Sequence, residues 1–219
     1  MSAGADSDDP RAAVIDLARA MDAAGLNRGA AGNVSVRAPG GGQYITPTGL
    51  GADDLALDAV PHVADDGGVT GRYRPSSEWD LHRAVYRARP DAGAVIHTHA
   101  VHCTTLACQE RGIPAFHYMV ALFGGRDIPC APYATFGTPE LAAAVGDALA
   151  GRDGCLMAHH GMVVCGATPI GAKERALHLE NLAEVYWRAL MLGPPPLISD
   201  GEMDRVLTKF QTYGQQDES

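Results

Sequence analysis

Apolar positions fall at helical spacing soon after the chain begins: Val14, Leu17, Ala18 and Met21 share one face. Asp9-Pro10 ahead of them is a capping residue followed by proline at the first helical position, and Gly25 is a natural stop. The pattern then changes to that of two short strands, over 33–37 and 43–46, joined through Pro39-Gly40-Gly41-Gly42. Asp65-Asp66-Gly67-Gly68 marks another turn. Ser77 is positioned to cap a helix that carries Leu81, Ala84, Val85 and Ala88 on one face.

Residues 92–96 are continuously apolar, which predicts a strand buried on both faces. Thr138-Pro139-Glu140 opens another helix that ends near Gly151. Residues 155–158 and 162–165 read as strands flanking His159-His160-Gly161. Thr168-Pro169 starts the longest helix, which runs to about Leu192 and stops at Gly193 and three prolines. Ser199 and Glu202 form a capping box for a last short helix. Helices and strands alternate irregularly, without repeats or a clear linker. The expected fold is therefore a single α/β domain over 1–219, with a central mixed or antiparallel sheet flanked by helices. Residues 1–9 and 215–219 are expected to be flexible.

Composition adds exclusions. The chain has 219 residues, 46% of them hydrophobic and 20% charged, an ordinary globular balance. A net charge of -9 speaks against general nucleic-acid binding, which needs a basic face. An anionic substrate would have to be held by neutral donors. No apolar run approaches the roughly 18 residues of a membrane helix, so no membrane partner is expected. The first residues, small and acidic, lack the basic start and apolar core of a secretion signal. Five cysteines without a CxxC pair then point to reduced thiols, mostly in the core, and to the cytoplasm.

The strongest chemical signal is His97-Thr98-His99 at the end of the predicted buried strand. Residues two apart on a strand point to the same face, so both imidazoles can reach one metal ion. Catalytic zinc usually takes three protein ligands and keeps an open position. His159 or His160 can supply the third; adjacent residues diverge, and periodicity does not choose between them. His102 and His117 are weaker candidates, and His62, His82 and His178 read as ordinary surface or helix residues. Glu78, at a predicted helix start beside Trp79, is a candidate base, although a first-turn Glu also complements the helix dipole. Gly29 to Asn33, Thr46-Pro47-Thr48-Gly49 and Ser76-Ser77 are small-residue segments able to hold a phosphate through backbone N–H groups and hydroxyls.

Taken together, these segments resemble the class II aldolase/adducin family. The resemblance runs from about Ile15 to Gly214. It is carried by Gly32-Asn33-Val34-Ser35-Val36-Arg37, Thr46-Pro47-Thr48-Gly49, Pro75-Ser76-Ser77-Glu78-Trp79, His97-Thr98-His99, Phe116-His117-Tyr118-Met119, Tyr133-Ala134-Thr135-Phe136-Gly137, His159-His160-Gly161 and Lys209-Phe210-Gln211-Thr212-Tyr213-Gly214. The resemblance implies Zn2+ held by His97, His99 and His160, with Glu78 as a resting ligand that swings away to act as base. It implies substrate and phosphate contacts from Gly32, Asn33, Thr48, Gly49, Ser76 and Ser77. Tyr118 would come from a neighbouring subunit of a homotetramer, and Phe136 and Tyr213 would shape the aldehyde end. The implied reaction is retro-aldol cleavage of a ketose 1-phosphate of the L-fuculose 1-phosphate type, giving dihydroxyacetone phosphate and a small aldehyde such as L-lactaldehyde. Relatives within the family include 5-deoxypentulose-1-phosphate aldolases, a pentulose-5-phosphate 4-epimerase, a methylthioribulose-1-phosphate dehydratase and the non-catalytic adducin head. One residue departs from the pattern: Ala30 stands where the family's aldolases carry a threonine near the phosphate.

Overall fold

In the computed structural model, residues 9–212 are described. The expected flexible ends fall almost entirely outside them, as does Tyr213. The helices are α1 Pro10–Ala23, α2 Trp79–Ala88, α3 Val101–Ala107, α4 Pro139–Ala148, α5 Pro169–Met191 and α6 Asp200–Phe210. The strands are β1 Asn33–Arg37, β2 Gln43–Ile45, β3 His62–Val63, β4 Val69–Thr70, β5 Ala94–Thr98, β6 Cys130–Ala131, β7 Gly154–Met157 and β8 Gly161–Gly166. They form one sheet in the order β4-β3-β2-β1-β5-β8-β7-β6. All pairs are antiparallel except β6 with β7, so the sheet is mixed.

Most helix boundaries follow their local signals. Asp9 accepts from the backbone N–H of Arg11, Thr138 from Leu141, Thr168 from Gly171 and Ser199 from Glu202. Ser77 does not cap α2; the cap position belongs to Glu78, whose side chain makes no capping bond. Its carboxylate is turned into the protein instead. Helix α3 carries no local start signal. Its cap residue is Ala100, and the first-turn N–H groups of His102 and Cys103 are satisfied by the Glu180 carboxylate, reaching across from α5 at 2.9 Å each.

Alternation along the central strands builds a core on each face of the sheet. Ala94 and Ile96 of β5, with Met162 and Val164 of β8, pack against α1, α3 and α5. Val95, Val163 and Cys165 face the other way, against Leu81 and Val85 of α2 and Leu141 and Val145 of α4. The five cysteines are free; Cys103, Cys155 and Cys165 are buried, Cys130 half-buried and Cys108 exposed. Among the described residues, no helix is long and apolar enough to cross a membrane.

Candidate metal centre and active-site cleft

Strand β5 lies in the middle of the sheet, with His97 opposite Asn33 of β1 on one side and Val163 of β8 on the other. Two-sided pairing fixes the backbone at His97, and His99 follows just past the end of β5. Nδ1 of His97 lies 2.9 Å from the Met162 carbonyl. A carbonyl only accepts, so Nδ1 carries the proton and Nε2 presents its lone pair outward. His99 Nε2 stands 3.1 Å from that atom. His160 comes from the tight turn between β7 and β8, and its ring centroid is 4.8 Å from that of His97 and 4.9 Å from that of His99. The ligand atoms of the three residues lie within 4.8 Å of one another.

Glu78 closes the group from the start of α2. Its Oε2 is 3.2 Å from His97 Nε2 and its Oε1 is 3.5 Å from His160 Nε2. Oε1 is buried yet accepts no hydrogen bond. Lone pairs of a buried carboxylate and three imidazoles converging this closely repel one another unless a cation sits among them. The donor set, three nitrogens and one carboxylate, suits a divalent transition metal. The protonation tendencies agree. Burial pushes His99 and His160 down, His160 to about 4, with the neighbouring His97 adding to the effect. Burial alone would raise the Glu78 carboxyl, but its contacts with His97, His160 and Asn33 outweigh it and hold the group well below the usual carboxylate range. Neutral imidazoles beside an ionised carboxylate are the forms that bind metal.

His159 is directed elsewhere. It occupies the left-handed region at φ 54°, and its ring reaches Glu110 at 3.1 Å, itself at φ 50°. The turn, rather than strand alternation, is what separates the two adjacent histidines. His102 takes the indole N–H of Trp187, and His117 takes the backbone N–H of Met119; neither is part of the metal cluster. His82, expected to be an ordinary surface or helix residue, is wholly buried, with Ser35 on one ring nitrogen and Asn33 on the other. Burial pushes it down to about 3, so it is neutral.

His99 and His160 of the cluster, with Glu78 and the neighbouring His159, line a cleft of about 350 Å³, and His97 is fully buried beside them. Gly32, Asn33, Thr48, Gly49, Ser76 and Ser77, three separate segments of sequence, meet on its walls. Gly32 needs its lack of a side chain: at φ 80°, a Cβ would be driven into Asn27 Oδ1 and the His97 carbonyl. The Asn33 amide donates to Glu78 Oε2 at 3.1 Å. Among the described residues lining the cleft there is no lysine or arginine. An anion bound there would rest on hydroxyls, loop N–H groups and the start of α2. Ala30, with its methyl group in place of a hydroxyl, is on the rim, and Phe136 and Tyr133 project from it, 66% and 62% exposed.

Tyr118 is not brought to this cleft. It sits on a 3-10 helix, Tyr118–Phe123, half exposed and stacked between His117 and Phe210.

The chain matches the family described as Class II Aldolase and Adducin N-terminal domain over residues 12–187. It is 50% identical over 204 residues to a 5-methylthioribulose-1-phosphate/5-deoxyribulose-1-phosphate aldolase of Rhodospirillum rubrum, covering 93% of this chain and 92% of that one. It is 46% identical over 202 residues to the L-fuculose phosphate aldolase of Escherichia coli K12, covering 92% and 94%. A solved structure of an L-fuculose 1-phosphate aldolase superposes with a TM-score of 0.89 at 33% identity, over 94% of this chain and 97% of that one. Sequence, architecture and the histidine cluster thus agree: the chain belongs to the class II aldolase and adducin family.

Proposed function

We propose that the protein cleaves ketose 1-phosphates between C3 and C4 by a retro-aldol reaction, with zinc held by His97, His99 and His160 and by Glu78 at rest. The observation that carries this reading is the convergence of three imidazoles and a carboxylate beside a cleft lined by small neutral donors. Bound there, the metal supplies Lewis-acid stabilisation of the charge left when the C3–C4 bond breaks. The chain's own residues do the remainder. Thr48, Gly49, Ser76 and Ser77, with Gly32 and Asn33, grip the phosphate and the adjoining oxygens, which fixes C3 beneath Glu78. Glu78 moves the proton on and off C3 of dihydroxyacetone phosphate. Tyr118 of a neighbouring chain in a homotetramer donates its phenolic proton to the aldehyde oxygen when the C3–C4 bond forms and, as the phenolate, takes that proton back from the C4 hydroxyl when the bond breaks. Phe136 and Tyr213 flank the departing aldehyde.

The two kinds of relative favour two substrates with a common feature. L-fuculose 1-phosphate and 5-deoxyribulose 1-phosphate both end in a methyl group, which meets the exposed Phe136 and Tyr133 at the rim. The first yields L-lactaldehyde and the second acetaldehyde, each with dihydroxyacetone phosphate. A panel of ketose 1-phosphates differing in C4 configuration and tail tests this. Cleavage abolished by a chelator and restored by zinc is expected for methyl-ended or methylthio-ended substrates. Turnover confined to ketose 5-phosphates, or an inert protein with zinc bound, would overturn the reading.

Metal content is a separate expectation. The purified protein should carry about one zinc per chain, as three imidazoles and a carboxylate require. Replacing His97, His99 or His160 with alanine should strip it, whereas His159→Ala should not. Loss of zinc on His159→Ala with retention on His160→Ala would reverse the ligand assignment.

A further inference from the structure

The side of α2 that faces the sheet bears Glu78, His82 and Tyr86, four residues apart, and β1 opposite bears Asn33, Ser35 and Arg37, two apart. A four-residue step on a helix and a two-residue step on a strand each keep to one face, and the two rows interlock. Asn33 Nδ2 is 3.1 Å from Glu78 Oε2, and Asn33 Oδ1 is 2.5 Å from His82 Nε2. His82 Nδ1 is 2.7 Å from Ser35 Oγ, which is 2.9 Å from the Tyr86 hydroxyl. The Arg37 guanidinium lies over the Tyr86 ring at 4.5 Å, closing the far end. Each of the five hydrogen-bonded residues, Glu78, Asn33, His82, Ser35 and Tyr86, is buried.

The chemistry of one end sets the direction of every proton in this row. The Glu78 carboxylate accepts, so the Asn33 amide presents N–H to it. Asn33 Oδ1 is then an acceptor, and His82 Nε2 must carry the proton. A neutral imidazole has one proton, so Nδ1 accepts from the Ser35 hydroxyl, and Ser35 Oγ in turn accepts from Tyr86. Turning the Asn33 amide over would set its oxygen against the carboxylate and, with His82 in this tautomer, its NH2 against the Nε2–H, two repulsive contacts in a buried place.

We infer that His82 is a positioning residue for the reaction, holding the Asn33 amide with its N–H rather than its oxygen toward Glu78 and the cleft. The inference rests on the proposed aldol function for its kinetic consequence, though not for its geometry. When Glu78 leaves the metal to act on C3, the Asn33 N–H stays aimed at the place its carboxylate held, ready for a substrate oxygen. A donor held in advance needs no reorientation at the moment charge develops.

The test uses the full chain, metal-free and zinc-loaded, with four variants. In the wild type, 15N NMR of the imidazoles should show His82 protonated at Nε2 and bare at Nδ1, with or without zinc. His82→Leu should lose about 10- to 100-fold in kcat, with KM changed far less, as is typical when a residue supporting a site is removed. His82→Gln should recover most of that loss, because its amide supplies one donor and one acceptor in the same order. Ser35→Ala, which leaves Nδ1 unclaimed, should fall between wild type and His82→Leu. Tyr86→Phe should keep wild-type kcat and lower only thermal stability, since Ser35 still donates to His82. An Nδ1-protonated His82 overturns the inference, as does a folded His82→Leu or a stable His82→Gln whose kcat contradicts this order. Losses in kcat that merely track the fall in Tm across all four variants overturn it as well. If His82→Leu does not fold, the tautomer and His82→Gln decide. A wild type that cleaves no ketose 1-phosphate refutes the functional reading, and the tautomer still decides how Asn33 is held.

Discussion

Replacing Glu78 with glutamine should slow the exchange of solvent protons into dihydroxyacetone phosphate by about 10²- to 10⁴-fold, the usual worth of a positioned general base. The substitution keeps the side chain's shape and removes its basicity. Glutamine can still offer its Oε1 to the Asn33 amide where Glu78 Oε2 now accepts at 3.1 Å. Its NH2 group then falls near His160 Nε2, where Oε1 now lies at 3.5 Å, and cannot ligate a metal. Three imidazoles remain, so the variant should fold and keep part of its zinc. Following tritium or deuterium entry into dihydroxyacetone phosphate isolates this step, because no aldehyde is needed. Exchange within a few-fold of wild type in a zinc-loaded Glu78→Gln would remove Glu78 from the role of base.

What the sequence revealed and concealed follows from the range of each interaction. Caps at Asp9, Thr138, Thr168 and Ser199 are bonds across two or three residues, and they placed four helices closely. The start of α3 depends on Glu180, 77 or 78 residues away, and no window around Val101 contains that signal. Strands β3, β4 and β6 are two residues long, too short for a period to register. In the site, HxH was legible because His97 sits on β5 and His99 just past its end, where the two-residue step still brings the rings together, whereas choosing His160 over His159 depended on a turn whose backbone enters the left-handed region. His82 escaped for another reason. A histidine among Asp80, Arg83 and Arg87 reads as part of a solvated helix. The signal that could have found it is joint: Glu78, His82 and Tyr86 step along a helix face while Asn33, Ser35 and Arg37 step along a strand face. Only a reading that pairs α2 with β1 exposes that match.

Tyr118→Phe should depress aldol cleavage by about 10²- to 10³-fold, the usual loss when a donor to developing alkoxide charge is removed. Proton exchange on dihydroxyacetone phosphate should stay near wild type, since that step involves no aldehyde oxygen. Within one chain Tyr118 is absent from the lining of the cleft beside the histidine cluster. It is instead 51% exposed, on the wall of a groove of about 930 Å³ that Met119 and Leu122 share with Val206 and Phe210 of α6. A tyrosine satisfied within its own core would not present half of its surface, so the ring is accessible to a partner from outside the chain. These placements support supply of the phenol to a neighbour's site. The consequence can be measured by mixing. A Tyr118→Phe chain brings an intact Glu78, and a Glu78→Gln chain brings an intact Tyr118. In a closed ring assembled at random from equal parts, about a quarter of the shared sites combine both native residues. Two nearly inactive preparations, dissociated and reassembled together, should therefore recover about a quarter of wild-type cleavage. Mixtures that reassemble to the native size yet stay as inactive as their parents would return Tyr118 to its own chain and leave the aldehyde oxygen without this proton donor.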